Sequence, residues 1–232
     1  EEVLKKKNLI NPPFSSETQF LTAVTSQKTE ELELLDDAIF KYRQEVENNP
    51  NNCEFYKKLG QLLQKKGSIN EAIEVYSTAV KLSPESADFH HHLGAAFAVI
   101  QRWDEAIVEY RKAIDFHDKS PFIYNHLGEA QAKLRLWSEA IASYQKAIEL
   151  DPDYANYHYN LAEAFEQTGK LKQAISSYQK AVELNPKFTK AVKRLEETRI
   201  KQAAADAAYL HRKNELATPE TDYEGCLDAV SS

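Results

Sequence analysis

Residues 121–154, PFIYNHLGEAQAKLRLWSEAIASYQKAIELDPDY, and residues 155–188, ANYHYNLAEAFEQTGKLKQAISSYQKAVELNPKF, are two copies of one pattern. Carried towards the N-terminus at the same spacing of 34 residues, the pattern recurs over 87–120 and 53–86. The seventh residue of each copy is Leu59, Leu93, Leu127 or Leu161. The twentieth is Ala72, Ala106, Ala140 or Ala174, and the next is Ile73, Ile107, Ile141 or Ile175. The twenty-fourth is Tyr76, Tyr110, Tyr144 or Tyr178, and the twenty-seventh Ala79, Ala113, Ala147 or Ala181. Repetition at such a period marks stacked supersecondary units, each too small to bury its apolar face alone.

These columns resemble the tetratricopeptide repeat family. The glycine that the family carries at position 8 is present as Gly60, Gly94 and Gly128, with Ala162 in the last copy. Its proline at position 32 is present as Pro84, Pro152 and Pro186, with Asp118 in the second copy. The resemblance implies an all-α fold, a right-handed α-α superhelix, that holds other proteins rather than performing chemistry. It covers four full repeats, 53–86, 87–120, 121–154 and 155–188.

Upstream, Ala38, Tyr42 and Pro50 keep the same register, so 17–52 reads as a degenerate leading repeat. Its first helix, over 17–29, is weakly specified, and its second, over 36–50, is sound. Residues 1–16, broken by Pro12 and Pro13, read as a linker or arm. Beyond Phe188 the register dissolves. Residues 189–216 read as a capping helix with Val192, Leu195, Ala203, Ala207 and Leu210 on one side, as an array needs over its last apolar face. Residues 217–232 read as an acidic, flexible tail.

The 232 residues carry a formal net charge of −7, but the four repeats are near balance, with 16 Lys and Arg against 18 Asp and Glu. Glu215, Glu220, Asp222, Glu224 and Asp228 supply most of the imbalance. No electropositive surface fit to neutralise phosphates is indicated, which argues against nucleic acid as a partner. Cys53 and Cys226 show no CxxC or Cys/His spacing, which favours a reducing compartment, the cytoplasm, over a disulfide scaffold. No apolar run reaches the roughly 18–20 residues of a membrane span, so no membrane insertion is expected. Methionine is absent even at position 1, and the chain reads as a piece of a longer one.

Within each repeat the punctuation defines two helices, A and B. In the first copy helix A runs over about 54–66, Gly67 supplies a permissive turn, and helix B starts near Asn70. Asn70, Asp104 and Ser138 fit N-cap chemistry. Pro84, Pro152 and Pro186 end helix B, because the residue before a proline is pushed out of α geometry. Gly at position 8 and Ala at 20 and 27 let helices approach closely, and the Tyr and Leu columns with Trp103 and Trp137 fill the space between.

No nucleophile motif, phosphate loop, dinucleotide fingerprint or HExxH pattern occurs, and the carboxylates are interleaved with Lys and Arg as on ordinary solvated helix faces. His90, His91 and His92 project about 100° apart on a helix and cannot ligate one metal ion together. His92 and His126, at position 6 of neighbouring repeats, form at most an incomplete site. Neither a cofactor nor a metal is expected, and the chain reads as a non-enzyme.

Function is expected on the face of helix A opposite its packing positions. In the resembling family this face lines a concave groove that contacts ligands. The first copy offers Lys57, Gln61 and Lys65, and the second Asp88, His91, His92, Ala95 and Val99. The third offers Phe122, Asn125, His126, Glu129 and Lys133, and the fourth Asn156, Tyr159, Glu163 and Glu166. This face varies while the packing columns do not. A shallow apolar middle lies between a basic and an acidic end, with Phe122 and Tyr159 as expected anchors. Of the pattern with which related arrays clamp a chaperone's C-terminal carboxylate, only Lys57 matches. Three roles follow: a scaffold binding a protein or peptide segment in its groove, a substrate-recruiting arm of a larger glycosyltransferase or methyltransferase, or a homo-oligomer that assembles itself.

Overall fold

The structure, a computed structural model, describes the backbone of residues 16–116 and 120–217, with side chains from Glu30 onwards and up to Asn214. Among the described residues there are ten helices and no strand: α1 (Ser16–Asn48), α2 (Cys53–Lys66), α3 (Ile69–Leu82), α4 (Ala87–Val99), α5 (Trp103–Asp115), α6 (Pro121–Lys133), α7 (Trp137–Leu150), α8 (Ala155–Gln167), α9 (Leu171–Leu184) and α10 (Thr189–Ala217). They form two compact units, Glu1–Phe116 with α1 to α5 and His117–Ser232 with α6 to α10. The expected arm and the expected acidic tail fall, but for Ser16 and Ala217, outside the described residues.

The repeating columns are the core. Each Ala at positions 20 and 27 is fully buried, and so, nearly, is each Tyr at 24 and each Leu at 7. The glycines at position 8 make room for the tyrosine of their own repeat. A β-carbon on Gly60, Gly94 or Gly128 would come within 2.4, 2.8 or 2.6 Å of the ring of Tyr76, Tyr110 or Tyr144. Position 4 ties helix A to the turn before it: Tyr56 Oη donates to the Pro50 carbonyl at 3.0 Å, His90 Nε2 to that of Pro84 at 2.8 Å and His158 Nε2 to that of Pro152 at 2.8 Å. A carbonyl only accepts, so Nε2 carries the hydrogen in both histidines. These histidines are structural, and His90 Nδ1 also faces Glu109 at 2.6 Å.

The turns between helices A and B differ from the expectation. Position 15 is left-handed in all four copies, at Gly67 (φ 89°), Gln101 (61°), Arg135 (59°) and Gly169 (72°). The amide of the next residue then reaches five residues back, as from Ser68 to Leu63 and from Leu136 to Gln131, at 2.9 Å in both, closing helix A in a Schellman-like turn. Helix B begins at once, with Ser68, Arg102, Leu136 and Lys170 at its N-cap. Asn70, Asp104 and Ser138 therefore sit inside the first turn rather than capping it. Asp104 there still favours the positive end of the helix dipole.

The leading helix pair is also corrected. α1 runs unbroken from Ser16 to Asn48. The residues where a turn would fall, TEELELLD at 29–36, place Glu33 at position 15. They contain no Gly, Asn or Pro, and strong helix formers continue the helix through them. α1 packs on α2 through Leu35 and Ile39. At the other end α10 lies on α9 through Ala191, Leu195 and Thr198. Of the apolar side expected for this helix, Leu195 is packed, whereas Val192 and Leu210 are exposed.

Candidate functional site

The helix A residues fall into two sets, one in each unit. In the first unit the set lies on α2 and α4. Lys57 Nζ stands 3.1 Å from both Glu54 and Asp88, and the hydrogen bond to Glu54 leads the effects that raise its pKa, ahead of Asp88 and against burial. His92 stacks on Tyr76 with centroids 5.4 Å apart, approaches Gln61 at 3.5 Å and lies 3.4 Å from Asp88. Burial holds its pKa below the ordinary histidine value, with Lys57 acting the same way and Asp88 opposing. Lys65 pairs with Glu31 of α1 at 3.2 Å. His91 leans on Tyr110 and Ala95 is half-buried, while Val99 stands exposed at the end of α4.

The second unit carries its set on α6 and α8, joined by α10. Asn125 is buried and donates to Glu129 at 2.8 Å, and Asn160 donates to both, at 2.9 and 3.0 Å. Glu163 accepts from the Tyr159 hydroxyl and faces Lys190 at 3.8 Å. Glu166, with 6% of its side chain exposed, binds Arg194 at 2.7 Å and Lys201 at 2.6 Å. Tyr178 donates to it at 3.1 Å. Burial pushes the Glu166 carboxyl up, but Lys201 and Arg194 outweigh this and hold it below its ordinary value. Lys133 and Asn156 are exposed, and His126 is half-buried.

Two expectations change. Tyr159 is no exposed anchor: it is 3% exposed and packs against Phe188 and Tyr178 at 5.0 and 5.5 Å, with Lys190 Nζ 4.7 Å from its ring centre. The basic and acidic ends are not free charge either. Lys57 and Lys65 are neutralised by Asp88 and Glu31, and Glu163 and Glu166 by three cations of α10. Those cations sit outside the 34-residue register, where the pattern of the repeats gives no sign of them.

What stays open is aromatic. Phe122 is 48% exposed and meets Tyr154, itself 40% exposed, edge to face at 5.7 Å. Both rest on the fully buried Tyr157, at 6.1 and 4.6 Å. The Tyr157 hydroxyl is buried without a hydrogen-bond partner, and burial first, then Asp151 and Tyr154, push its pKa up to about 12. Tyr154 is absent from the expected site because position 34 belongs to the loop before α8, not to helix A.

Among the described residues no cluster of three or more His, Cys, Asp or Glu could hold a metal ion, and no helix is long and apolar enough to cross a membrane. Profiles described as TPR repeat and tetratricopeptide repeat match 65–98 with 137–169, and 155–188. No curated protein matches the sequence. A crystal structure of MamA superposes with a TM-score of 0.64 at 29% identity, covering 70% of this chain and 95% of that one. YrrB, described as a TPR protein with an unusual peptide-binding site, gives 0.62 at 20%, with 70% and 84% covered. TTC0263, a thermophilic TPR protein of Thermus thermophilus, gives 0.57 at 23%, with 75% and 94% covered. With repeat profiles matched in both units and helix pairs packed through the same columns, the chain belongs to the tetratricopeptide repeat family.

Proposed function

We propose that the chain is a non-catalytic protein-interaction scaffold that holds a segment of a partner protein against the helix A face of its second unit. The observation that carries this reading is the aromatic pair Phe122 and Tyr154. Large, exposed rings on a rigid, buried support are the side chains on which binding energy concentrates. Fold-level likeness to YrrB supports a peptide-like ligand. Around the rings, the polar groups of Asn125, Asn160 and Glu129 are held in place by one another, so they meet a ligand preorganised. The paired charges leave little long-range steering, so recognition rests on contact chemistry at the rings.

A photo-crosslinking side chain at position 122 identifies the partner, and a second at 146, on helix B, serves as control. Calorimetry with that partner should then show Phe122→Ala and Tyr154→Ala each weakening binding by about 1 kcal/mol or more. Full-strength binding by both variants would remove the helix A face as the site.

A further inference from the structure

The first and last helices each present a face that nothing among the described residues covers, and the two faces are complementary. On α1, Glu30, Glu33, Asp37, Phe40, Gln44 and Glu47 recur at spacings of three and four, which aligns them in one stripe. It lies opposite Leu35 and Ile39, which pack on α2. All six are exposed, Phe40 to 64%. The acids of α1 that do find a partner, Glu31 and Asp36, pair with Lys65 and Lys66 of α2 and lie off the stripe.

α10 leaves the array after Thr198. From Arg199 to Asn214 every side chain but Gln202 is exposed. Ala203, Ala204 and Ala207 form a shallow stretch beside Ile200 and Leu210, which are 62% and 56% exposed. Arg199 lies before that stretch and Arg212 and Lys213 after it, and none of the three makes an ion pair with a described residue. The one acid within it, Asp206, is held by Gln202 at 2.8 Å.

We infer that the chain associates head to tail with a second copy, the acidic face of α1 in one copy docking on the projecting half of α10 in the other. This goes beyond the scaffold reading and does not rest on it. Phe40 is the knob and the alanine stretch the hole, since small residues let helices approach closely. At 1.5 Å per residue, Glu33 and Glu47 lie about 10 Å to either side of Phe40. On α10, Arg199, Ala203, Asp206, Leu210 and Lys213 recur at spacings of four and three, so Arg199 and Lys213 lie on one side of the helix, about 10 Å to either side of its middle, whereas Arg212 stands off that side. Seating the ring between Ala203 and Leu210 therefore sets one carboxylate near Arg199 and the other near Lys213. One helix pair buries much less than the roughly 1,600 Å² of a standard interface, so the contact is weak and concentration-dependent. Being heterologous, it closes into a ring or grows as an open chain.

Sedimentation of the whole chain across concentration tests this. At about 0.05 M salt the mass should rise above the monomer's 26.5 kDa with concentration, and at about 0.5 M salt it should fall back as the charges are screened. Phe40→Glu, the pair Glu33→Lys with Glu47→Lys, and the triple Arg199→Glu, Arg212→Glu, Lys213→Glu should each weaken self-association about tenfold or more. All these positions are exposed, and far-UV circular dichroism checks each variant's helix content. Mixing the α1 charge pair with the α10 triple should restore association, because the unaltered α1 of one variant meets the unaltered α10 of the other and the two reversed faces match in turn. A monomer at every concentration overturns the inference, and coverage of α10 by the chain's own acidic tail would give that result. Association unaltered in the α10 triple overturns it too, by placing the contact elsewhere.

Discussion

Phe122 and Tyr159 are both large aromatics on helix A, but they have opposite environments. Phe122, at position 2, leans outward over Tyr154. Tyr159, at position 5, is roofed by Phe188 and Lys190. Tyr159→Ala should therefore cost about 3–5 kcal/mol of stability, as truncation of a buried ring does. Phe122→Ala should stay within about 0.5 kcal/mol. Urea titration of both variants checks the contrast, and equal midpoints would refute it. Helical spacing alone could not separate these residues, because the groups that roof Tyr159 arrive from beyond the last repeat. His92 makes a further statement. Its folded pKa lies below the unfolded one, so the unfolded chain takes up protons more readily as pH falls below the ordinary histidine value. The native state is then penalised: its contribution is present above about pH 6.5 and is lost on acidification. His92→Gln should flatten the fall in melting temperature between about pH 7 and pH 5, and an unchanged slope would assign that fall to other groups.

Helix pairs were legible because their packing demands small residues at fixed places, and a 34-residue period is hard to mistake. Their turns were less so. Gly67 and Gly169 advertise a left-handed position, but Gln101 and Arg135 adopt it without any such mark. A non-glycine residue there is strained, typically by about 1 kcal/mol or more. Arg135→Gly should relieve that strain and, after the entropy a glycine loses on folding, stabilise the protein by about 0.5–1 kcal/mol. Gly169→Ala, the reverse change at the same place, should destabilise by a similar amount. Thermal melts of the two variants moving the same way would count against a turn geometry shared by all the repeats. α1 illustrates the complementary failure: Ala38 and Tyr42 kept the register of a repeat, yet without a turn-permitting residue the expected helix pair became one helix.

In an array, each repeat is stabilised by its neighbours, so the ends decide how much of the interior stays dry. α10 covers the last repeat only through its first turns. Ala191, Leu195 and Thr198 are buried against it, and Arg194 and Lys201 neutralise Glu166. Beyond Gln202 no described side chain is buried. Ending the chain after Gln202 should thus leave the melt within about 1 kcal/mol of the intact chain, since only exposed residues are lost. Ending it after Phe188 should do far more. Burial of Leu195 alone is worth roughly 1.5–3 kcal/mol, and the same cut strips Glu166 of both its ion pairs. The shorter chain should unfold earlier in urea, and restoring neutrality with Glu166→Gln should recover part of the loss. If both truncations melt alike, α10 does not cap the array, and the ion pairs of Glu166 contribute nothing to holding its last repeat together.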